Sequence, residues 1–131
     1  MIIPIGVLNK ALESAKKSNF YIYKVGAVIF KGKKIISCGY NDIRSFSKIN
    51  NKYKKHFTSC HAEQFALMNI PNKKNIKNAS IFIIRLNISG KTSLAKPCEY
   101  CLKTIKSFNI KKIYYSDRDG KIILEKLLND K

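Results

Sequence analysis

The sequence predicts an α/β fold, a three-layer α/β/α sandwich built on a five-stranded mixed sheet. Two observations predict it: several strands are apolar on both faces, and helices separate strands along the chain. A strand that is apolar on both faces suits a sheet covered on both sides, and a strand–helix–strand crossover joins parallel neighbours. The 131 residues contain no repeat or linker, so we expect a single domain over residues 1–131.

The N-terminal half predicts one helix, one hairpin and one long loop. Residues 5–18 show the periodicity of an amphipathic helix. Its apolar face is formed by Ile5, Leu8, Leu12 and Ala15. Strands over 24–31 and 34–40 are joined by a short turn at Gly32, which predicts an antiparallel hairpin. Residues 41–60 are polar and basic without a clear period, and long loops of this kind are often functional.

The C-terminal half predicts two helices and three strands. In order, we expect a helix over 61–69, a strand over 80–86, a loop over 88–96, a helix starting near Pro97, and strands over 112–116 and 121–124. Pro71 ends the first of these helices. Asp119-Gly120 is a hairpin signal between the last two strands. The remaining residues predict a short helical turn or a frayed end.

Charge and composition limit the classes of protein. The formal charge is +18, which attracts polyanions. However, all but three of the 26 basic residues are lysines, arginine being preferred for forked recognition of phosphates and bases, and A/T-rich codons also produce such a composition. Nucleic-acid binding and a solvated lysine surface therefore both remain open. No apolar run approaches the ~18 residues of a membrane span, and we expect a cytoplasmic or nuclear protein without a membrane partner.

Two short motifs contain residues that suit metal chemistry. Cys98 and Cys101 are three residues apart, so both thiols leave one side of a helical turn, and His61 offers an imidazole from another helix. Imidazole and thiolates are zinc ligands, and a catalytic zinc site has three protein ligands. Glu63 suits proton transfer, but in a helix it points about 200° from His61. Both reach one pocket only if that pocket lies beyond the helix end. A structural zinc clip closed by Cys60 is the alternative.

The motifs His61-Ala62-Glu63 and Pro97-Cys98-Glu99-Tyr100-Cys101 resemble those of the zinc-dependent cytidine deaminase superfamily. The resemblance covers roughly residues 24–118 and implies a cytidine deaminase-like α/β/α fold. It implies that Zn²⁺ is the cofactor and that its ligands are His61, Cys98 and Cys101. It further implies that Glu63 is the proton shuttle, that the Ala62 N–H holds the base carbonyl, and that Asn41 meets the sugar.

The implied reaction is attack of hydroxide on C4 of cytosine with loss of ammonia. The implied partner is a cytosine-containing nucleoside, nucleotide or single-stranded nucleic acid, and the family often forms homo-oligomers. Attack at C6 of adenine in tRNA is the first alternative, and a non-catalytic zinc-stabilised nucleic-acid-binding domain is the second. The sequence offers no ligands for a second zinc, and its C-terminal hairpin resembles that of nucleoside-type deaminases.

Several further residues have two interpretations. Asn41 is either the sugar contact or a turn residue that satisfies its own backbone. Tyr100 either walls the pocket or covers the helix end. The aromatic and basic residues of the loop over 41–60 suit base stacking or a solvated loop. Cys38 is expected in the core, and His56 in the solvated loop.

Overall fold

The computed structural model describes residues 2–19, 23–42, 61–71, 76 and 78–127. Most of the predicted long loop, over 43–60, lies outside the described residues, and so do His56 and Cys60 within it. In the part of the chain that is described, no helix has the length and apolarity needed to cross a bilayer.

Three helices are present, each close to its predicted place: α1 (Ile5–Lys16), α2 (Ala62–Met68) and α3 (Glu99–Ser107). The prediction of the buried face of α1 is partly wrong, because Ile5 is 57% exposed while Val7 and Ala11 are fully buried. The reason is close contact with the sheet. A Cβ added at Gly26 would lie 2.2 Å from the backbone oxygen of Ala11, so the small residues of α1 face the strand.

The sheet has six strands rather than the predicted five. They are β1 (Lys24–Lys31), β2 (Lys34–Tyr40), β3 (Ser80–Leu86), β4 (Thr92–Ser93), β5 (Lys112–Ser116) and β6 (Ile122–Lys126). The spatial order is β2-β1-β3-β5-β6, and β4 pairs with β3. The unpredicted strand, β4, has only two residues, too few to show a period. β6 extends to Lys126, where the sequence predicted a turn or frayed end.

Both predicted hairpins are confirmed. β1 pairs antiparallel with β2, and β5 pairs antiparallel with β6. The glycines in their turns, Gly32 and Gly120, have φ of 61° and 79°, which glycine adopts without a steric penalty. β3 and β5 are parallel, as expected for strands joined through a helix.

Apolar side chains fill both faces of the sheet, which confirms the three-layer architecture. On β1 and β3 they alternate: Ala27, Ile29, Ile81 and Ile83 belong to one core cluster with α2 and α3. Val28, Phe30, Phe82 and Ile84 belong to a second cluster with α1. Cys38 is half-buried against the second cluster. The two helices that begin with the predicted metal motifs therefore share one face of the sheet.

Candidate active site

The structure brings the three predicted metal ligands together. His61 Nδ1 lies 3.9 Å from Cys98 Sγ and 3.4 Å from Cys101 Sγ, and all three donor atoms lie within 4.8 Å of one another. A tetrahedral zinc ion with ordinary bond lengths separates such donors by about 3.5–3.8 Å. One imidazole and two thiols at this spacing fit Zn²⁺.

Two helix starts provide these donors. His61 immediately precedes α2 and has extended backbone, with φ −69° and ψ 151°. Cys98 precedes α3 in the same way, and its Sγ accepts a hydrogen bond from the backbone N–H of Cys101. Because His61 is outside the helix, its side chain and that of Glu63 reach one pocket despite their spacing. This is the arrangement beyond the helix end that the sequence required.

The two thiols have opposite proton affinities. A hydrogen bond from Cys101, supported by His61, lowers the pKa of Cys98 to about 4 although burial opposes the shift. The same hydrogen bond, together with burial, raises the pKa of Cys101 well above its ordinary value. Burial lowers the pKa of His61, but its hydrogen bond with Cys98 and the charge of Glu63 outweigh burial and raise it. One thiolate beside a thiol and an imidazole is a donor set ready to exchange its protons for a cation.

Glu63 occupies the first turn of α2 and is only 5% exposed. Burial raises the pKa of its carboxyl, and the nearby His61 opposes this shift. A raised carboxyl pKa moves the group toward neutral pH, where an acid–base catalyst works best.

An open pocket of about 130 Å³ joins these residues. One buried water needs about 10–15 Å³ by a comparable measure, so the space admits a small ring. Described residues from the start of α2, from β1 and β3 and from the segment 94–98 line it, including His61, Ala62, Glu63 and Cys98.

Asn41 also lines this pocket and is 2% exposed. Its Oδ1 accepts a hydrogen bond from the Val25 N–H at 2.9 Å, and its Nδ2 donates to the Tyr23 carbonyl at 3.2 Å. The amide therefore fastens the end of β2 to the start of β1. An amide has four hydrogen-bonding positions, so these two bonds leave capacity for a substrate.

Tyr100 is not among the described residues that line the pocket. Its carbonyl accepts a hydrogen bond from Thr104 Oγ1, and the Lys103 ammonium lies 5.8 Å from the centre of its ring. This placement favours the alternative in which Tyr100 covers the helix.

Three pocket residues, Tyr23, Arg85 and Lys96, were not predicted. For Arg85 the sequence did hold a signal. Two-residue alternation along β3 puts Arg85 on the same face as Ile81 and Ile83, which is the face covered by α2 and α3. Tyr23 and Lys96 lie outside the strands and had no periodic signal.

An α/β/α sandwich with a histidine, two cysteines and a buried glutamate at one pocket defines the class of zinc-binding deaminase folds. The chain belongs to the cytidine and deoxycytidylate deaminase family, because the family model "Cytidine and deoxycytidylate deaminase zinc-binding region" matches residues 5–117. Membership of this family makes the protein a deaminase. The sequence has no significant match among curated proteins.

Solved structures show the same similarity. The apo form of dCMP deaminase from cyanophage S-TIM5 matches with a TM-score of 0.60 and 27% identity, over 86% of this chain and 81% of that one. A diaminohydroxyphosphoribosylaminopyrimidine deaminase/reductase from Thermotoga maritima gives 0.55 and 21%, over 85% of this chain and 28% of that one. A mutant cytidine deaminase from Mycobacterium tuberculosis gives 0.54 and 13%, over 86% and 83%.

Proposed function

We propose that the protein is a zinc-dependent hydrolytic deaminase that converts a cytosine base to uracil and releases ammonia. One observation carries the proposal: the buried Glu63 carboxyl shares a pocket with His61 and Cys98, two of the three gathered donors. Family membership and the 27% identity to a dCMP deaminase favour cytosine as the base. The substrate is a nucleoside, a nucleotide or a single-stranded nucleic acid.

His61, Cys98 and Cys101 would hold the zinc ion. When bound, the ion supplies a Lewis acid that makes water nucleophilic near neutral pH. The three residues leave one side of the donor set open toward the pocket, which distinguishes this arrangement from a closed structural clip with four protein ligands.

Glu63 would carry the protons. Water adds at C4 of the ring, the bond from C4 to the amino nitrogen breaks, and uracil and ammonia are the products. The Glu63 carboxylate accepts a proton from water and returns it to the departing amino group, so it ends as it began. Its burial supports this role, because a carboxyl with a raised pKa both takes up and releases a proton near neutral pH.

Backbone and amide groups would orient the base and sugar. The Ala62 N–H is at the first position of α2, where no acceptor exists within the helix, and Ala62 lines the pocket. It can therefore donate to the carbonyl of the base. Asn41, fixed by its two backbone bonds, would offer its remaining hydrogen-bonding capacity to the sugar.

A substrate panel tests the proposal. Zinc-loaded protein is assayed for ammonia release from cytidine, deoxycytidine, dCMP and a cytosine-containing DNA strand, with an adenosine-containing tRNA loop for comparison. We expect activity on at least one cytosine substrate and a loss of about 10²–10⁴-fold in Glu63→Gln. Glu13→Gln is the matched control, since Glu13 is exposed on α1 and pairs with Lys10.

Two results would contradict the proposal. Activity on adenosine alone would identify a different base. Inactivity on every substrate, with nucleic acid bound equally well by wild type and Glu63→Gln, would identify a non-catalytic binding domain. Salt separates the remaining substrates, because binding of a polymer weakens steeply as salt increases.

A further inference from the structure

The pocket described above has an unusual balance of charge. Glu63 is the one carboxylate among its described lining residues, whereas Arg85 and Lys96 are both cations. Among the described residues, the acidic partners in ion pairs are Glu13 and Glu99. Neither cation of the pocket is therefore neutralised by a described carboxylate.

Arg85 is held toward the pocket by the sheet. It lies opposite Val25 in the pairing of β3 with β1, and Tyr23, two residues before Val25, is a diagonal neighbour on the same face. The Arg85 guanidinium carbon lies 4.0 Å from the centre of the Tyr23 ring. A contact of this kind is a favourable cation–π interaction.

Stacking leaves the donors of Arg85 available. A guanidinium that rests its flat face on a ring keeps its N–H groups pointing outward in the plane, in the fork that matches two oxygens of a phosphate. The backbone is also fixed at this point. The Arg85 N–H donates to Ser116 Oγ at 3.2 Å, and the same hydroxyl donates to the Ser93 carbonyl at 2.8 Å.

Lys96 lies at the opposite end of the same short segment. It is exposed, two residues before Cys98, and it lines the pocket with Ala95. The Ala95 N–H donates to the Ser116 carbonyl at 2.9 Å, so Ser116 holds the backbone of both β3 and the segment that leads to Lys96. The positions of the two cations are thus linked through one buried serine.

We propose that Arg85, with Lys96, binds a phosphate group of the substrate, so that the site takes a phosphorylated cytosine nucleoside. This inference rests on the proposed function and narrows its substrate class. A phosphate near neutral pH carries between one and two negative charges, and it would neutralise a pair of cations that no described carboxylate neutralises. Arg85 is then a specificity-determining residue and Tyr23 a positioning residue. The phosphate belongs either to a free nucleotide or to a nucleic-acid backbone.

Paired kinetics test the proposal. We would measure kcat and KM for deoxycytidine and dCMP with wild type, Arg85→Ala, Arg85→Lys and Lys96→Ala. Arg118→Ala is the matched control, because Arg118 is exposed beside the turn between β5 and β6 and does not line the pocket. Activity on deoxycytidine shows in each variant that the fold and the metal site are intact. A cytosine-containing oligodeoxynucleotide is assayed alongside.

We expect wild type to prefer dCMP over deoxycytidine. Arg85→Ala should lose about 10–100-fold in kcat/KM for dCMP, mostly through KM, and less than about threefold for deoxycytidine. Arg85→Lys should lie between the two, since it keeps the charge without the fork, and Arg118→Ala should match wild type. If the oligonucleotide is the better substrate and has the same dependence on Arg85, the phosphate belongs to a polymer.

Equal losses on deoxycytidine and dCMP in Arg85→Ala, or a wild type that does not prefer the phosphorylated substrate, would overturn the inference and leave the deaminase proposal standing. Absence of ammonia release from every cytosine substrate would overturn both.

Discussion

The Nδ1 atom of His61 lies 3.4 Å from Cys101 Sγ, although 40 residues separate them in the chain. Neither residue is brought there by local structure. His61 is placed by α2 against β1 and β2, and Cys101 by the crossover from β3 to β5. The metal donors therefore report on the assembly of the whole α2–α3 face of the sheet.

Removal of either cysteine of the donor set is expected to abolish stoichiometric metal binding. In Cys98→Ala or Cys101→Ala only two donors remain, and structural zinc affinity depends on the complete set. Elemental analysis should show about one zinc ion per chain in wild type and well below one in these variants. Cys38→Ala is the control, because Cys38 lies in β2 away from the donors. Full zinc content in Cys101→Ala would refute the ligand assignment.

Alkylation of metal-free protein should distinguish the two thiols. The pKa of Cys98 is lowered to about 4, so above that pH it is mainly thiolate, and its rate with iodoacetamide should change little between about pH 5 and pH 8. An ordinary thiol would accelerate roughly 10³-fold over that range. Cys101, buried and with a raised pKa, should react far more slowly.

Peptide mapping by mass spectrometry measures the alkylation rates site by site. Zinc added beforehand should protect both residues. Faster modification of Cys101 than of Cys98, or a Cys98 rate that increases steeply with pH, would contradict the hydrogen-bonded pair described above.

The close approach of α2 to β2 is expected to make Gly39 irreplaceable. A Cβ at Gly39 would lie 2.5 Å from the Ala66 N and 2.8 Å from the Ala62 carbonyl, and both atoms are backbone. Gly39→Ala should therefore lower the free energy of unfolding by about 1–3 kcal/mol and displace the helix that positions His61. Urea denaturation measures the first effect and zinc content the second.

Gly6→Ala is the matched substitution in a helix with open space around the new methyl group. It should raise stability by about 0.5–1 kcal/mol. Equal behaviour of the two variants would show that the helix does not press on β2 as described.

Much of the fold could be predicted because its signals are local. Gly32 and Gly120 mark the two hairpins, and both predicted hairpins form. The histidine and cysteines were identifiable because zinc requires particular residue types at particular spacings, and the structure gathers them.

Other features depend on distant contacts that no local pattern contains. The face that α1 buries is set by its approach to Gly26, which favours small residues over the large Ile5. β4 exists because its two residues return along β3 after a turn organised by Asn87, whose Oδ1 accepts from the backbone N–H groups of Ser89 and Lys91. The cationic wall of the pocket combines β3 with this return segment, so it could not be predicted while β4 was missing.

The crossover from β3 through α3 to β5 has a consequence for how the protein matures. A parallel pair forms only after the connecting helix and the second strand are both available, and such long-range pairing is slow. A chain emerging from the ribosome therefore presents two cysteines long before it presents a finished cage for a cation. Ion capture by all three donors must wait until the segment ending at Ser116 has been synthesised and has joined the sheet.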